Sequence, residues 1–209
     1  MKEPEAPDPR PYHHGDLRRA LVEAAVRLVE ADGPGAMSLR AVAREAGVSP
    51  AAPYHHFKDK SELLDAVAHE GWEKLDLAFR AARDAETSPP NRVRELGVAY
   101  VRFAIAHPAL YRVMYDCSRD KADMPAHVHE NEESAYRRVR DVLISAGADP
   151  ADEVGLELAT IACWCAAHGL AEMTTFKQFD ALKAELGGED AFLRGVLGHV
   201  GVFAKGLQR

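Results

Sequence analysis

The sequence predicts an all-α fold, and three observations carry that expectation. No stretch of the 209 residues sustains the apolar–polar alternation of a strand, whereas apolar residues recur three and four apart in run after run. Ser and Asp, which cap helix starts, stand directly before several of these runs. Gly and Pro, which stop helices, stand directly after them. The expected arrangement is an N-terminal three-helix unit, joined by a long helix to a larger C-terminal helical domain.

Residues 1–12 are rich in Pro and charge and read as a flexible arm. Asp16 is a candidate N-cap for the first helix. Leu17, Leu21, Ala24, Ala25, Leu28 and Val29 fall on one side of it, with Arg18, Arg19, Glu23, Arg27 and Glu30 on the others. Gly33-Pro34-Gly35 stops it. Ser38 caps a second helix, SLRAVAREA, which Gly47 ends. Ser49 caps a third, with Pro50 at the first helical position, where a missing N–H costs nothing. That helix is over near Phe57, and Asp59 caps a long fourth helix from Lys60 to about Glu86.

Ser88-Pro89-Pro90 is the clearest boundary in the chain. Beyond it the spacing predicts helices over 91–106, 109–116, 125–146, 151–175 and 189–207, separated by His107-Pro108, Gly147 to Pro150 and Gly187-Gly188. The domain division is therefore 13–60 for the head, 61–87 for the connecting helix and 88–209 for the C-terminal domain.

Apolar residues at 47% and charged residues at 28% are an ordinary globular balance. Three Cys, an odd number without a CxxC pair, argue against a disulfide scaffold and fit a reducing cytoplasm. The N-terminus has no apolar run of the signal-peptide kind. The most apolar stretch, Val154 to Met173, is interrupted by Glu157, His168 and Glu172, so it reads as a buried interface helix rather than a membrane span. Net charge is -7, but it is uneven: Arg10 to Lys60 holds 8 Lys+Arg against 6 Asp+Glu, and Ser61 onward 17 against 24. A mildly basic N-terminal portion on an acidic body is compatible with local contact to phosphate.

The second and third helices are expected to form a tight pair. Ala43 faces inward at the crossing, Gly47 supplies the left-handed turn four residues later, and Val48 closes the small core. Small residue, three spacers, Gly, apolar residue is the helix-turn-helix arrangement. With GDLRRALVEAAVRLVEADG before it and AAPYHHFKDKSELLDAVAHEGWE after it, the chain from residue 15 to about 73 resembles the TetR family of transcriptional regulators. AIAHPALYRVMY and the run Trp164-Cys-Ala-Ala-His168-Gly169-Leu170 further resemble the family's regulatory domain named after its Trp, His and Gly.

A recognition helix of this kind lies in a major groove. Pro50, Ala51 and Ala52 are compact, so backbone approaches closely, and the Ala methyls suit thymine methyls. Tyr54 offers a ring to sugar or base and a hydroxyl to phosphate. The resemblance implies that Arg40 reaches a base edge and that Ser38, Ser49, Tyr54, His56 and Lys60 hold phosphates. His55 either points to solvent or supports a phosphate. Lys60 also sits in the first turn of a long helix, whose free N–H groups attract an anion. Pro53 stands where the family has an aliphatic residue; it forfeits the bond to the Ser49 carbonyl and shortens or tightens the helix.

The resemblance also implies a homodimer through the last two long helices, about 151–175 and 189–207. Ala159, Ala162, Cys163, Ala166, Ala167 and Gly169, with Gly195, Gly198, Val202 and Gly206, are small enough for close helix approach. Trp164 and His168 share a face, either as a pocket-lining pair or as a core Trp with a hydrogen-bonded His. Candidates for a pocket lining are Tyr100, Phe103, Tyr111, Met114, Tyr115, Cys117, Trp164, His168 and Met173, an aromatic and Met set that suits an apolar small molecule. The same residues at helical spacing also make ordinary core.

No Gly-rich phosphate loop, nucleophile elbow or Glu-x-x-His pair is present, so catalysis is not expected, nor is a cofactor. His127-Val-His129-Glu130 and Cys163-Trp-Cys165 raise a metal or redox sensor, but residues two apart on a helix point to different sides. The function expected is a cytoplasmic, ligand-responsive repressor on a near-palindromic DNA operator.

Overall fold

The structure is a computed structural model that describes residues 14–119 and 134–206. Among these residues every regular element is helical. The chain divides into two compact units, Met1–Val67 and Ala68–Arg209. The expected N-terminal arm and the His127 to Glu130 run lie outside the described residues.

The first unit contains α1 (His14–Asp32), α2 (Leu39–Glu45), a 3₁₀ turn at Ala52–His55 and the start of α3 (Lys60–Ala85). Helix α1 begins three residues earlier than an Asp16 cap would give, so Asp16 lies inside the first turn. Its apolar stripe is the heart of the core: Leu21, Ala24, Ala25 and Val29 are fully buried, and Met37, Val42, Ala43, Phe57, Leu63 and Val67 close around them. Burying one aliphatic or aromatic side chain of this size stabilises by about 1.5–3 kcal/mol. The Arg18 guanidinium covers the Phe57 ring at 5.1 Å.

Helix α2 is closed at both ends by its own sequence. Ser38 is extended, and its Oγ accepts the Ala41 N–H at 3.1 Å. At the other end Gly47 has φ +69°, which lets Val48 N–H reach the Ala43 carbonyl at 2.9 Å and Gly47 N–H the Arg44 carbonyl at 3.2 Å. This paired closure turns the chain by main-chain bonds alone.

The third element departs from expectation. Instead of an α-helix capped by Ser49, the chain forms a 3₁₀ turn whose flanking residue is Ala51, without a side-chain cap. Pro53 is the physical reason. It has no N–H for the Ser49 carbonyl, which is taken instead by Ala52 N–H at 3.0 Å. Tyr54 N–H to Ala51 and His56 N–H to Pro53 continue the same i to i+3 pattern, at 3.1 and 3.0 Å. Pro50 stands before the turn rather than at a first helical position, and Pro53 itself is buried.

The second unit holds the rest of α3 with α4 (Pro89–Ala106), α5 (Pro108–Arg119), α6 (Ala135–Ser145), α7 (Glu153–Met173), a 3₁₀ turn at Lys177–Phe179, α8 (Asp180–Glu185) and α9 (Glu189–Gly206). Helix α6 starts after Ser134, whose Oγ accepts Arg137 N–H at 3.2 Å, and α7 starts after Asp152, which accepts Gly155 N–H at 2.9 Å. Helix α8 and its preceding turn have no counterpart in the sequence reading. Neither buries a side chain, so neither leaves an apolar period.

Helix α4 is central, packing on α5, α6, α7 and α9. Helix α3 enters this core through Gly71, Trp72, Leu75, Asp76 and Phe79. A Cβ on Gly71 would stand 2.6 Å from Met114 Sδ, so the missing side chain is what admits α5. Asp76, only 7% exposed, takes a two-pronged guanidinium from Arg138 on α6 and a second from Arg80 at 2.8 Å. Glu95 on α4 binds Arg194 of α9 in the same forked way, at 3.0 and 3.1 Å.

Candidate functional site

Two groups of side chains stand out, one in each unit. In the first unit the tight α2 turn carries an exposed surface of small and polar residues. Ser38, Arg40, Ser49, Pro50, Ala51, Tyr54 and His55 are exposed; Ala52 and His56 are half-buried. Tyr54 leaves 54% of its surface to solvent although it is flanked by the buried Pro53 and Phe57. Ser38 keeps its hydroxyl proton free to donate, because its oxygen is the capping acceptor.

Lys60 is also exposed, but its ammonium donates to the Pro34 carbonyl at 3.0 Å, tying the α1–α2 loop to the start of α3. The α3 N-terminus is itself occupied. Asp59 accepts Glu62 N–H at 3.0 Å, and Glu62 reaches back to Lys58 N–H at 2.7 Å. Two carboxylates therefore stand where the helix end alone would attract an anion, and the attraction left to Lys60 is that of its own charge.

In the second unit Tyr100 of α4, Tyr111 and Tyr115 of α5 and His168 of α7 form a hydrogen-bonded knot. Tyr111 Oη lies 2.6 Å and Tyr100 Oη 2.9 Å from His168 Nδ1. Tyr100 and Tyr115 hydroxyls share a short hydrogen bond, and Trp164 Nε1 donates to Tyr115 Oη at 3.0 Å. Tyr100 and Tyr111 hydroxyls also lie 3.4 Å apart, so the three polar atoms form one hydrogen-bonded group. Burial, and for Tyr100 the neighbouring phenols, push the three phenols up in pKa, Tyr111 to about 12, so all three are donors across the physiological range.

Of the pocket candidates, Tyr100, Tyr111, Tyr115, Trp164 and His168 come together here. Met114 is fully buried against Gly71, and Phe103 pairs with His107 at 5.1 Å. Cys117 is half-buried, while Met173 is 46% exposed and apart from the knot. Sequence reasoning missed three members. Trp72 and Phe79 of α3 lie 6.0 and 6.4 Å from the Trp164 ring, and Tyr136 of α6 lies 5.8 Å from it. Trp72, Leu75 and Phe79 repeat at helical spacing, the signal that was available.

Comparison with known proteins gives a match in each unit. Residues 21–67 match the family described as bacterial regulatory proteins, tetR family. Residues 93–197, half of the chain, match the tetracyclin repressor-like C-terminal domain. The chain is 40% identical over 79 residues to the HTH-type transcriptional regulator BetI of Rhizobium meliloti, a match that spans 38% of this chain and 39% of that protein's length. It is similar, at 32% identity and TM-score 0.72, to a protein of unknown function from Rhodococcus sp. RHA1, covering 95% of this chain and 98% of that one. A TetR family transcription regulator from Marinobacter aquaeolei VT8 shares the fold, with TM-score 0.61, 20% identity and coverage of 88% and 93%. With a helix-turn-helix head and a matching C-terminal domain on one chain, the protein belongs to the TetR family of DNA-binding transcription regulators.

Proposed function

We propose that the protein is a cytoplasmic, homodimeric repressor that leaves a near-palindromic operator when a small, largely apolar molecule occupies its C-terminal unit. The observation that carries the DNA reading is the exposed set around the α2 turn. Ala51 and Pro50 are compact enough for close approach, Arg40 offers a guanine-reading fork, and Ser38, Ser49, Tyr54, His55, His56 and Lys60 offer donors to phosphate. In this reading Ala52 supports the approach from its half-buried position. The family relatives are regulators.

The dimer is supported by α7. The helix is long and apolar enough to cross a membrane. One face is packed, through Leu156, Thr160, Ala167, Leu170 and Ala171. The other leaves Val154, Leu158 and Ile161 exposed at 72, 63 and 44%, with Ala162, Cys165 and Gly169 beside them. An apolar stripe of this length on a helix already packed along its back suits a second copy of the chain, with α9 as its neighbour. The Trp164, His168 and Gly169 run supports a Trp-His-Gly type of regulatory domain. A redox-responsive alternative has less support: burial pushes the Cys163 thiol up, away from the reactive thiolate.

Release follows from a population shift: the effector must bind the form that fits DNA less well than the other form. Purified protein offered random-sequence DNA at modest salt is expected to enrich a palindromic site. Enrichment of no such site would falsify the operator reading.

A further inference from the structure

The chain has two tryptophans, and both lie in the aromatic knot of the second unit. They differ in one respect. Trp164 donates its indole N–H to Tyr115 at 3.0 Å. Trp72 is 8% exposed, and its buried indole nitrogen has no hydrogen-bond partner. Native proteins leave few buried donors unmet, and each asks for an explanation.

The neighbouring groups are engaged with one another. An indole N–H only donates, so Tyr115 Oη accepts from Trp164, and it shares a second hydrogen bond with Tyr100. The Tyr100 and Tyr111 hydroxyls lie within hydrogen-bond distance of each other and of His168 Nδ1. None of these groups meets the Trp72 indole nitrogen, which is left a donor without an acceptor. Around it the walls are rings: Tyr115 at 5.5 Å and Trp164 at 6.0 Å from Trp72, with Phe79, Tyr100 and Tyr136 against Trp164. The hydrogen-bonding groups are neutral phenols, indoles and an imidazole, and the Glu172 carboxylate acts on Tyr111 from nearby. An anion here would meet that carboxylate with no guanidinium or ammonium in the knot to offset it. A quaternary ammonium would suit the rings but has no lone pair to give the indole.

We propose that Trp72 is the anchoring donor of the effector site, and that the effector is a neutral, flat, largely apolar molecule with one carbonyl-type acceptor, such as an aryl ketone, ester or amide. The assignment rests on reading the second unit as an effector domain, and it adds the chemistry. Trp72 belongs to α3, the helix that begins at Lys60 in the head. The indole nitrogen is covered, so the ligand enters as side chains give way. Met114, an unbranched and adaptable thioether, packs against Gly71, the residue before Trp72.

The test uses the full chain labelled with ¹⁵N, which gives two indole N–H signals; Trp72→Phe identifies them. The probes are acetophenone, ethylbenzene, benzoate and benzyltrimethylammonium. Acetophenone is expected to move the Trp72 signal downfield, leave the Trp164 signal nearly in place, and bind about tenfold more tightly than ethylbenzene. In Trp72→Phe that preference disappears and ethylbenzene binds as before; the four-probe comparison on the unaltered protein stands even if the variant does not fold. The proposal is overturned if ethylbenzene matches acetophenone, if benzoate or the ammonium binds best, or if no probe moves the Trp72 signal. Operator binding is measured on the same samples. Tight operator binding without a Trp72 response removes the effector assignment alone, whereas failure to bind any selected DNA without probe removes the regulator reading.

Discussion

Arg40 and Lys60 are both exposed cations on the head, yet their surroundings differ. Arg40 projects from α2 with its side chain in solvent. Lys60 already donates to the Pro34 carbonyl and has two ammonium protons left for a phosphate. Arg40→Ala is therefore expected to cost about 1–3 kcal/mol on the best operator and little on random DNA, relaxing preference at one base pair. Lys60→Ala is expected to weaken all sequences alike and to lower the salt slope by about one. Anisotropy titrations of cognate and random duplexes over a salt series separate the two; equal loss on both duplexes for Arg40→Ala would remove its base-reading role. Met173 and Trp164 are nine residues apart, about two and a half turns of α-helix, which puts the two on opposite faces; the spacing alone separates Met173 from the Trp164 side.

Among the elements, the α2 turn is the most local and was the most legible. Ala43, Gly47 and Val48 act within six residues of chain, through bonds the sequence order dictates. A Cβ on Gly47 meets nothing within 4 Å, so Gly47→Ala isolates the backbone cost of φ +69°. Loss of about 1–2 kcal/mol is expected, seen as a lower urea midpoint at unchanged slope. The 3₁₀ turn was half legible. Pro53 announces the lost bond to Ser49, but only the folded chain shows Ala52 taking that carbonyl. The aromatic knot was less legible still. Trp72, Tyr115, Tyr136 and Trp164 come from four helices, and no local rule brings side chains so distant in sequence to one point. Helix α8 left no trace because it buries nothing.

For the whole molecule, the all-α class was readable because apolar residues recur at helical spacing and Gly and Pro interrupt them often along this chain. Leu158 is 63% exposed at the centre of the α7 stripe, so Leu158→Arg should leave the subunit folded by far-ultraviolet circular dichroism while sedimentation velocity reports monomer. A dimer that survives this charge would place the interface elsewhere. Burial would raise the Glu95 carboxyl, but hydrogen bonds from Arg194 and then Arg94 outweigh it and hold the group below its ordinary 4.5. A lowered folded value means stabilisation present in full above the unfolded pKa and lost as pH falls through the folded one. Urea midpoints should thus decline below about pH 4.5, and less steeply in Glu95→Gln; parallel curves for the two proteins would show that the pair does not set the acid limit.

The tightened turn at Ala52–His55 bears on how much sequence one subunit can read. A 3₁₀ segment rises about 2 Å per residue, so four residues span about 8 Å. Stacked base pairs are about 3.4 Å apart, which leaves the turn facing roughly two steps of duplex. Side chains three apart eclipse, so Ala51 aligns with Tyr54, and Ala52 with His55, as two short parallel rows. On the proposed operator, the information content of each half-site would then be concentrated in very few letters, supplemented by Arg40. Strict reading of a short word, repeated by symmetry as proposed, would make the distance between the words part of the message.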